Sequence, residues 1–210
     1  MKSNTLFLSL VTVIFLWGNF SYAAYDDAGT DYSSKSSDTW IQDRAGEGLK
    51  MVNAFVCIVK SSNGGTRPNT SWKALIDELK CDGFKNVELV EMECAGNTNV
   101  AVIKSISLGM LGCGEALKRI SPDAILTIGD RYEVLAFGIA ANFLKIKIIH
   151  LQGGEISGCF DDTTRHLMTK LSHLHFVATN QSKKNVLQMG ESSKTVFNVG
   201  CPSIDDLLKN

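Results

Sequence analysis

At 210 residues, 44% hydrophobic and 20% charged, the chain can bury a core and suits one domain with appendages. A formal net charge of -1 removes the electrostatic case for nucleic acid or an anionic membrane surface as partner. The six cysteines (57, 81, 94, 113, 159 and 201) are scattered without a CxxC pair or metal-ligand spacing, so free thiols are expected.

Met1-Lys2 precedes the apolar run LFLSLVTVIFLW, and small residues follow at Ser21 to Ala24. That is the layout of a secretory signal peptide over 1–24, cleaved near Ala23; a buried helix or strand is the other reading. The run is short for a bilayer crossing, so no membrane span is expected in the mature chain. Residues 25–49 are rich in Ser, Asp, Gly and Thr without apolar periodicity, and read as a disordered linker. A domain over 50–210 follows.

MVNAFVCIV (51–59) reads as a strand, SSNGGTRPN as a glycine-rich loop and SWKALIDELK as a helix, with Trp72, Leu75, Ile76 and Leu79 at helical spacing. VELVEM (87–92) is the next strand, and 99–120 a long apolar helix broken at Pro122. DAILTIG, IKIIHL, HFVAT and TVFNVG read as further strands. They alternate with helices over YEVLAFGIAANFL, Asp161–His173 and NQSKKNVLQMG, and Pro202 opens a final helix. Strands and helices alternating at this spacing imply an α/β fold with a doubly wound parallel sheet.

In such a sheet, residues just beyond the carboxyl ends of strands face the ligand crevice. Asp130 and Arg131 follow DAILTIG directly, as base or sugar-orienting carboxylate with a phosphate-binding cation, or as a helix cap with a solvated arginine. Gln152-Gly153-Gly154-Glu155 follows the next strand, where glycines let a ligand approach the backbone or simply make a tight turn. Asp161, Asp162, Arg165 and His166 fall within two helical turns, a spacing that surface ion pairs also explain. Histidines 150, 166, 173 and 175 lack the HExxH spacing, and no metal site is expected. GGTRPN, with Arg67, is like a phosphate-cradling loop but lacks the Walker lysine pattern.

The string GDRYEVLA, IIHLQGGEISG, DD followed by RH, TKLSHLHF, QMGE and VFNVGCPSID resembles the hydrolysing UDP-N-acetylglucosamine 2-epimerases. The likeness is to the branch that makes N-acetylmannosamine for sialic acid synthesis, including the epimerase half of the animal bifunctional epimerase/kinase. It is dense over 99–210, loose over 50–98 and absent over 1–48. It implies a GT-B-type fold, two Rossmann-like domains with the nucleotide sugar between them. This chain would be a single amino-terminal half, with the carboxy-terminal domain missing.

The implied reaction eliminates UDP across C1–C2 to give 2-acetamidoglucal, then adds water to give N-acetylmannosamine. Carboxylates carry the protons, with no metal, nicotinamide or other cofactor. By motif, Asp130 and Asp161 are the implied acid/base groups, and Gln152 occupies a third catalytic position. Arg131, Glu155, Arg165, His166 and Arg67 are implied to bind substrate. Where many relatives read HIEGGE, this chain reads HLQGGE. An amide takes no proton at neutral pH, so Gln152 only hydrogen-bonds the sugar or turnover is impaired.

The resemblance therefore implies UDP-N-acetylglucosamine as ligand and a homo-oligomer or a partner that supplies the second domain. The alternative to an enzyme is a non-catalytic domain that binds the nucleotide sugar or associates with a full-length epimerase. The family is cytoplasmic, whereas the first 24 residues point to secretory entry or a misjoined gene model.

Overall fold

The computed structural model describes residues 98–201 without a break, together with 12–16, 55–60, 86–92 and the positions 80, 94, 204 and 208. The strands are β1 (Thr12–Leu16), β2 (Phe55–Lys60), β3 (Asn86–Glu91), β4 (Ala124–Ile128), β5 (Lys147–Leu151), β6 (Leu174–Val177) and β7 (Val196–Asn198). The helices are α1 (Asn99–Ile120), α2 (Tyr132–Phe143), α3 (Asp161–Leu171) and α4 (Asn180–Gln188), with a 3-10 turn at Ser193–Thr195. One sheet takes the order β3-β2-β1-β4-β5-β6-β7.

The expected α/β architecture is present, and β4 to β7 run parallel in a four-strand block with helical crossovers. β2 and β3 are also parallel, but β1 lies antiparallel between β2 and β4. The apolar amino-terminal run thus contains a strand paired into the sheet. The linker over 25–49 and the glycine-rich loop with Arg67 lie outside the described residues.

Alternation along the strands sorts the core into two faces. Ile125 and Ile148 join Val90, Met92, Leu117, Phe137 and Met168 on the face that carries α1, α2 and α3. Ala124, Leu126, Ile149, Leu151, Leu174 and Phe176 cluster on the opposite face. His150 and His175 therefore point toward the helices, side by side in register.

α1 has the bounds its sequence suggests. Thr98 caps it by accepting the Ala101 N–H, and Ser121 closes it in the left-handed region at φ 50°. Its buried stripe is small side chains, Ala101, Ser105, Gly109, Cys113 and Ala116, until Leu117 near its end. A Cβ at Gly109 would stand 3.1 Å from Met92 and 3.2 Å from Ala136, so glycine is what lets helix and sheet close up. α1 is long and apolar enough to cross a bilayer, but Cys113, Ala116 and Leu117 bury themselves against β3 and α2. Burial pushes the Cys113 thiol up to about 12. Cys94, Cys113, Cys159 and Cys201 are all free thiols.

Candidate functional site at the carboxyl ends of β4 and β5

β4 and β5 are short, apolar and buried, so their carboxyl ends deliver polar residues to one edge of the sheet. The chain leaves β4 through Gly129 at φ 86° and reaches Asp130 and Arg131. It leaves β5 through Gln152, held at φ 59°, and Gly154 at φ 78°. That conformation at a non-glycine residue costs about 1–2 kcal/mol and needs support from its surroundings. Gln152 has it: its N–H donates to the Phe176 carbonyl at 2.8 Å, and its side-chain amide donates to Cys201 Sγ at 3.1 Å. Gly154 admits no side chain, since a Cβ would lie 2.4 Å from the Ser182 carbonyl oxygen.

Arg165, on the second turn of α3, gathers these loops. Only 6% exposed, its guanidinium pairs with Asp130 and donates from Nη1 to Asp162 Oδ1 at 2.6 Å and to the Glu155 carbonyl at 2.7 Å. A planar fork with several donors is the side chain suited to bridge three segments at once. Asp162 in turn accepts the Ser157 and Gly158 N–H groups at 3.0 and 2.7 Å and the Ser157 hydroxyl at 2.7 Å. The Ser157 N–H is the leading cause that holds the Asp162 carboxyl well below the usual carboxylate range. The loop from Glu155 to Phe160 is thereby folded over the start of α3.

Arg131 caps α2 and is clamped by Glu133, Nε to Oε2 at 3.1 Å and Nη2 to Oε1 at 2.8 Å. The Glu133 carboxylate is buried, and its hydrogen bonds raise the Arg131 pKa further. Asp161 is exposed on the first turn of α3, and its charge reaches Arg131. Asp130 keeps 23% of its side chain exposed beyond the ion pair. His166 is half-buried, with Nδ1 enclosed and unpartnered.

Six of the sequence-derived candidates, Asp130, Arg131, Gln152, Glu155, Arg165 and Asp161, therefore lie on the two strand ends and the α3 amino terminus. His166 sits on the same helix, one residue beyond Arg165, and Arg67 falls outside the described residues. Within the acidic pair, it is Asp162 that joins the buried cluster. Surface pairs at i,i+4 are replaced by a part-buried i,i+3 pair, Asp162 to Arg165. Glu133 and Cys201 carried no site role in the sequence reading, and Asp162 only that of one partner in a surface ion pair. For Glu133, the available signal was a carboxylate in the first turn of an otherwise apolar helix. Among the described residues, no three His, Cys, Asp or Glu side chains converge as a metal site.

The arrangement offers an exposed carboxylate, a partly exposed one, an amide and an oriented arginine along one crevice wall. Such a set can exchange protons with a bound polyol and hold an anionic group.

The family model for UDP-N-acetylglucosamine 2-epimerase matches residues 74–210. UDP-N,N'-diacetylbacillosamine 2-epimerase (hydrolyzing) of Legionella pneumophila is 40% identical over 134 residues, 64% of this chain and 36% of that protein. UDP-N-acetylglucosamine 2-epimerase of Neisseria meningitidis is 44% identical over 87 residues, 41% of this chain and 23% of that one. The crystal structure of the Neisseria meningitidis UDP-GlcNAc 2-epimerase bound to UDP-GlcNAc superposes with a TM-score of 0.60 at 23% identity, covering 73% of this chain and 40% of that chain. The Listeria monocytogenes relative gives a TM-score of 0.56 at 24% identity, over 64% and 36%. These solved structures carry the fold, that of GT-B-like epimerases. The chain spans about a third of the length of the first curated relatives it matches.

Proposed function

This chain belongs to the UDP-N-acetylglucosamine 2-epimerase family, and from that premise we propose that its crevice takes UDP-N-acetylglucosamine and serves the hydrolysing reaction. A base removes the C2 proton as the C1–O bond to UDP breaks, giving 2-acetamidoglucal. Water then adds at C1, a proton returns to C2 on the other face, and N-acetylmannosamine and UDP leave. Asp130 and Asp161 carry the proton transfers, with Gln152 as a hydrogen-bonding amide. Arg131, Arg165, Glu155, His166 and Arg67 hold sugar and diphosphate. Because Gln152 takes no proton, turnover is slow, and a second domain facing this crevice completes the substrate site. The product feeds sialic acid formation.

The observation that carries this reading is the Asp130–Arg165 pair, which joins the ends of β4 and β5 to the start of α3 and leaves Asp161 free at the rim. The test is the full chain with UDP-N-acetylglucosamine in D2O, followed by proton NMR. UDP release with deuterium at C2 of N-acetylmannosamine supports the enzyme. UDP-N,N'-diacetylbacillosamine is assayed beside it, since the Legionella relative is named for that sugar. Saturable shifts of the sugar signals without turnover would instead make this a non-catalytic nucleotide-sugar-binding domain, the reading that Gln152 favours.

The cellular setting we propose is the cytoplasm. Signal cleavage near Ala23 would carry away β1, which lies between β2 and β4 in the sheet. A secretory signal and this strand are therefore exclusive uses of the same residues. Amino-terminal mass spectrometry of the native protein decides between them: a chain beginning near Ala24 excludes the strand, and one retaining 12–16 excludes cleavage.

A further inference from the structure

β4 and β5 stay in register as far as Ile128 and Leu151, then part. β4 continues through Gly129 toward Asp130, while β5 turns aside at Gln152. The Gly129 carbonyl thus lies beyond the last strand pair and takes its hydrogen bond from a side chain, His150 Nε2, at 3.0 Å. A carbonyl only accepts, so Nε2 carries the hydrogen and Nδ1 is the bare nitrogen. Thr169 Oγ1 stands 3.5 Å from Nδ1 and donates its own hydrogen to the Arg165 carbonyl at 3.1 Å.

The ring is wholly buried, and Gly153 lies across it, where a Cβ would be 2.9 Å from Nδ1. Strand end, β5 loop and α3 therefore close on one imidazole. Burial lowers its pKa to about 4 against the Gly129 hydrogen bond, which raises it, and His175 and Arg165 add smaller lowering effects.

We propose that His150 is a positioning residue of this site: as a neutral imidazole protonated at Nε2, it pins the Gly129–Asp130 turn and so sets where the Asp130 carboxylate stands. Its kinetic consequence rests on the reading of Asp130 as a proton-transferring group, while its structural consequence does not.

Long-range proton–nitrogen spectra of the uniformly nitrogen-15-labelled full chain, with His150 assigned by its loss in His150→Gln, report the tautomer directly. The expected result is a neutral ring with hydrogen on Nε2, unchanged from pH 7 to pH 5. A ring protonated at Nδ1, or charged at pH 7, overturns the proposal even where no variant folds. His150→Phe keeps the ring volume and removes the donor, whereas His150→Gln keeps a donor. The Phe variant should exchange the Asp130 amide hydrogen at least about tenfold faster and lose about 10- to 100-fold in kcat, with KM within about threefold. The Gln variant should recover most of both. Wild-type exchange and kcat in the Phe variant refute the role. Where the unmodified chain turns nothing over, the reaction assigned above fails alone, and tautomer and exchange still decide for His150.

Discussion

The two ends of α3 hold the same chemical ingredients in opposite conditions. At its amino end, Arg165 is buried and grips two carboxylates and a carbonyl from three segments. At its carboxyl end, Lys170 pairs with Glu191 at 2.5 Å while 55% of its side chain faces water, and Glu191 Oε2 lies 3.5 Å from buried His175. The carboxylates at the two ends are comparably shielded; what differs is the cation, buried and shared among three segments at the amino end, mostly in water and serving one carboxylate at the other. A buried, multiply bonded cation holds its partners in place, whereas an exposed ammonium adds little.

The comparison is broken most severely at Arg165. Arg165→Ala removes a buried guanidinium whose donors serve three segments, and thermal unfolding should show a loss of about 3 kcal/mol, the largest of this set of substitutions. A loss below about 1 kcal/mol would mean that the cluster adds nothing beyond a surface pair.

Acid should act next. His150 has its pKa lowered from 6.5 to about 4 by burial, and burial also lowers His173 and His175. Below pH 6.5 the unfolded chain takes up a proton that the folded imidazole refuses until about pH 4. Stability is therefore full above pH 6.5 and lost as pH falls, by about 3 kcal/mol from His150 alone. Urea titrations from pH 7 to pH 4 measure this, and His150→Phe should flatten the profile. A profile equally steep in the variant would assign the acid sensitivity to the carboxyl-end histidines.

Gly154→Ala asks how far the stiffness of the amino end extends. The loop carbonyl there accepts from Asn185 Nδ2 at 2.7 Å, and a methyl at φ 78° meets the α4 backbone. The expected cost is about 2 kcal/mol, with amide protection lost first in α4. Lys170→Ala, the mildest change, should cost less than about 1 kcal/mol and shrink further in high salt. A larger cost would show that Glu191 depends on Lys170 to stay seated beside His175.

From Asn99 to Asn198 the elements were legible because the apolar spacing is regular and the punctuation clear, while the helix expected from Pro202 falls mostly outside the described residues. The α1 span agrees with its sequence reading, and Gly190 follows α4 as a stop. The apolar run near the amino terminus admitted two readings, since a five-residue strand and a signal-peptide core share one composition, and periodicity does not separate them. That Asp130 and the loop after β5 lie at one edge of the sheet could be read from the strand ends alone. The internal wiring there could not: adjacent aspartates give no sign of which will meet Arg165, and the Gln152–Cys201 bond joins residues 49 apart. Such contacts are decided by the packing of α3 and β7 against the sheet, which no local window contains.

The same long-range wiring sets an order of assembly. Asp130 and its arginine are 35 positions apart, and the pair forms only when α3 has docked on β5. On a growing chain, β4 and α2 emerge with Asp130 still bathed in water, and nothing local can shield it. The crevice wall is thus made by contacts that wait on the elements that frame it. Whatever delays the docking of α3 therefore yields a chain with its strands in place and its ligand-facing edge still unmade.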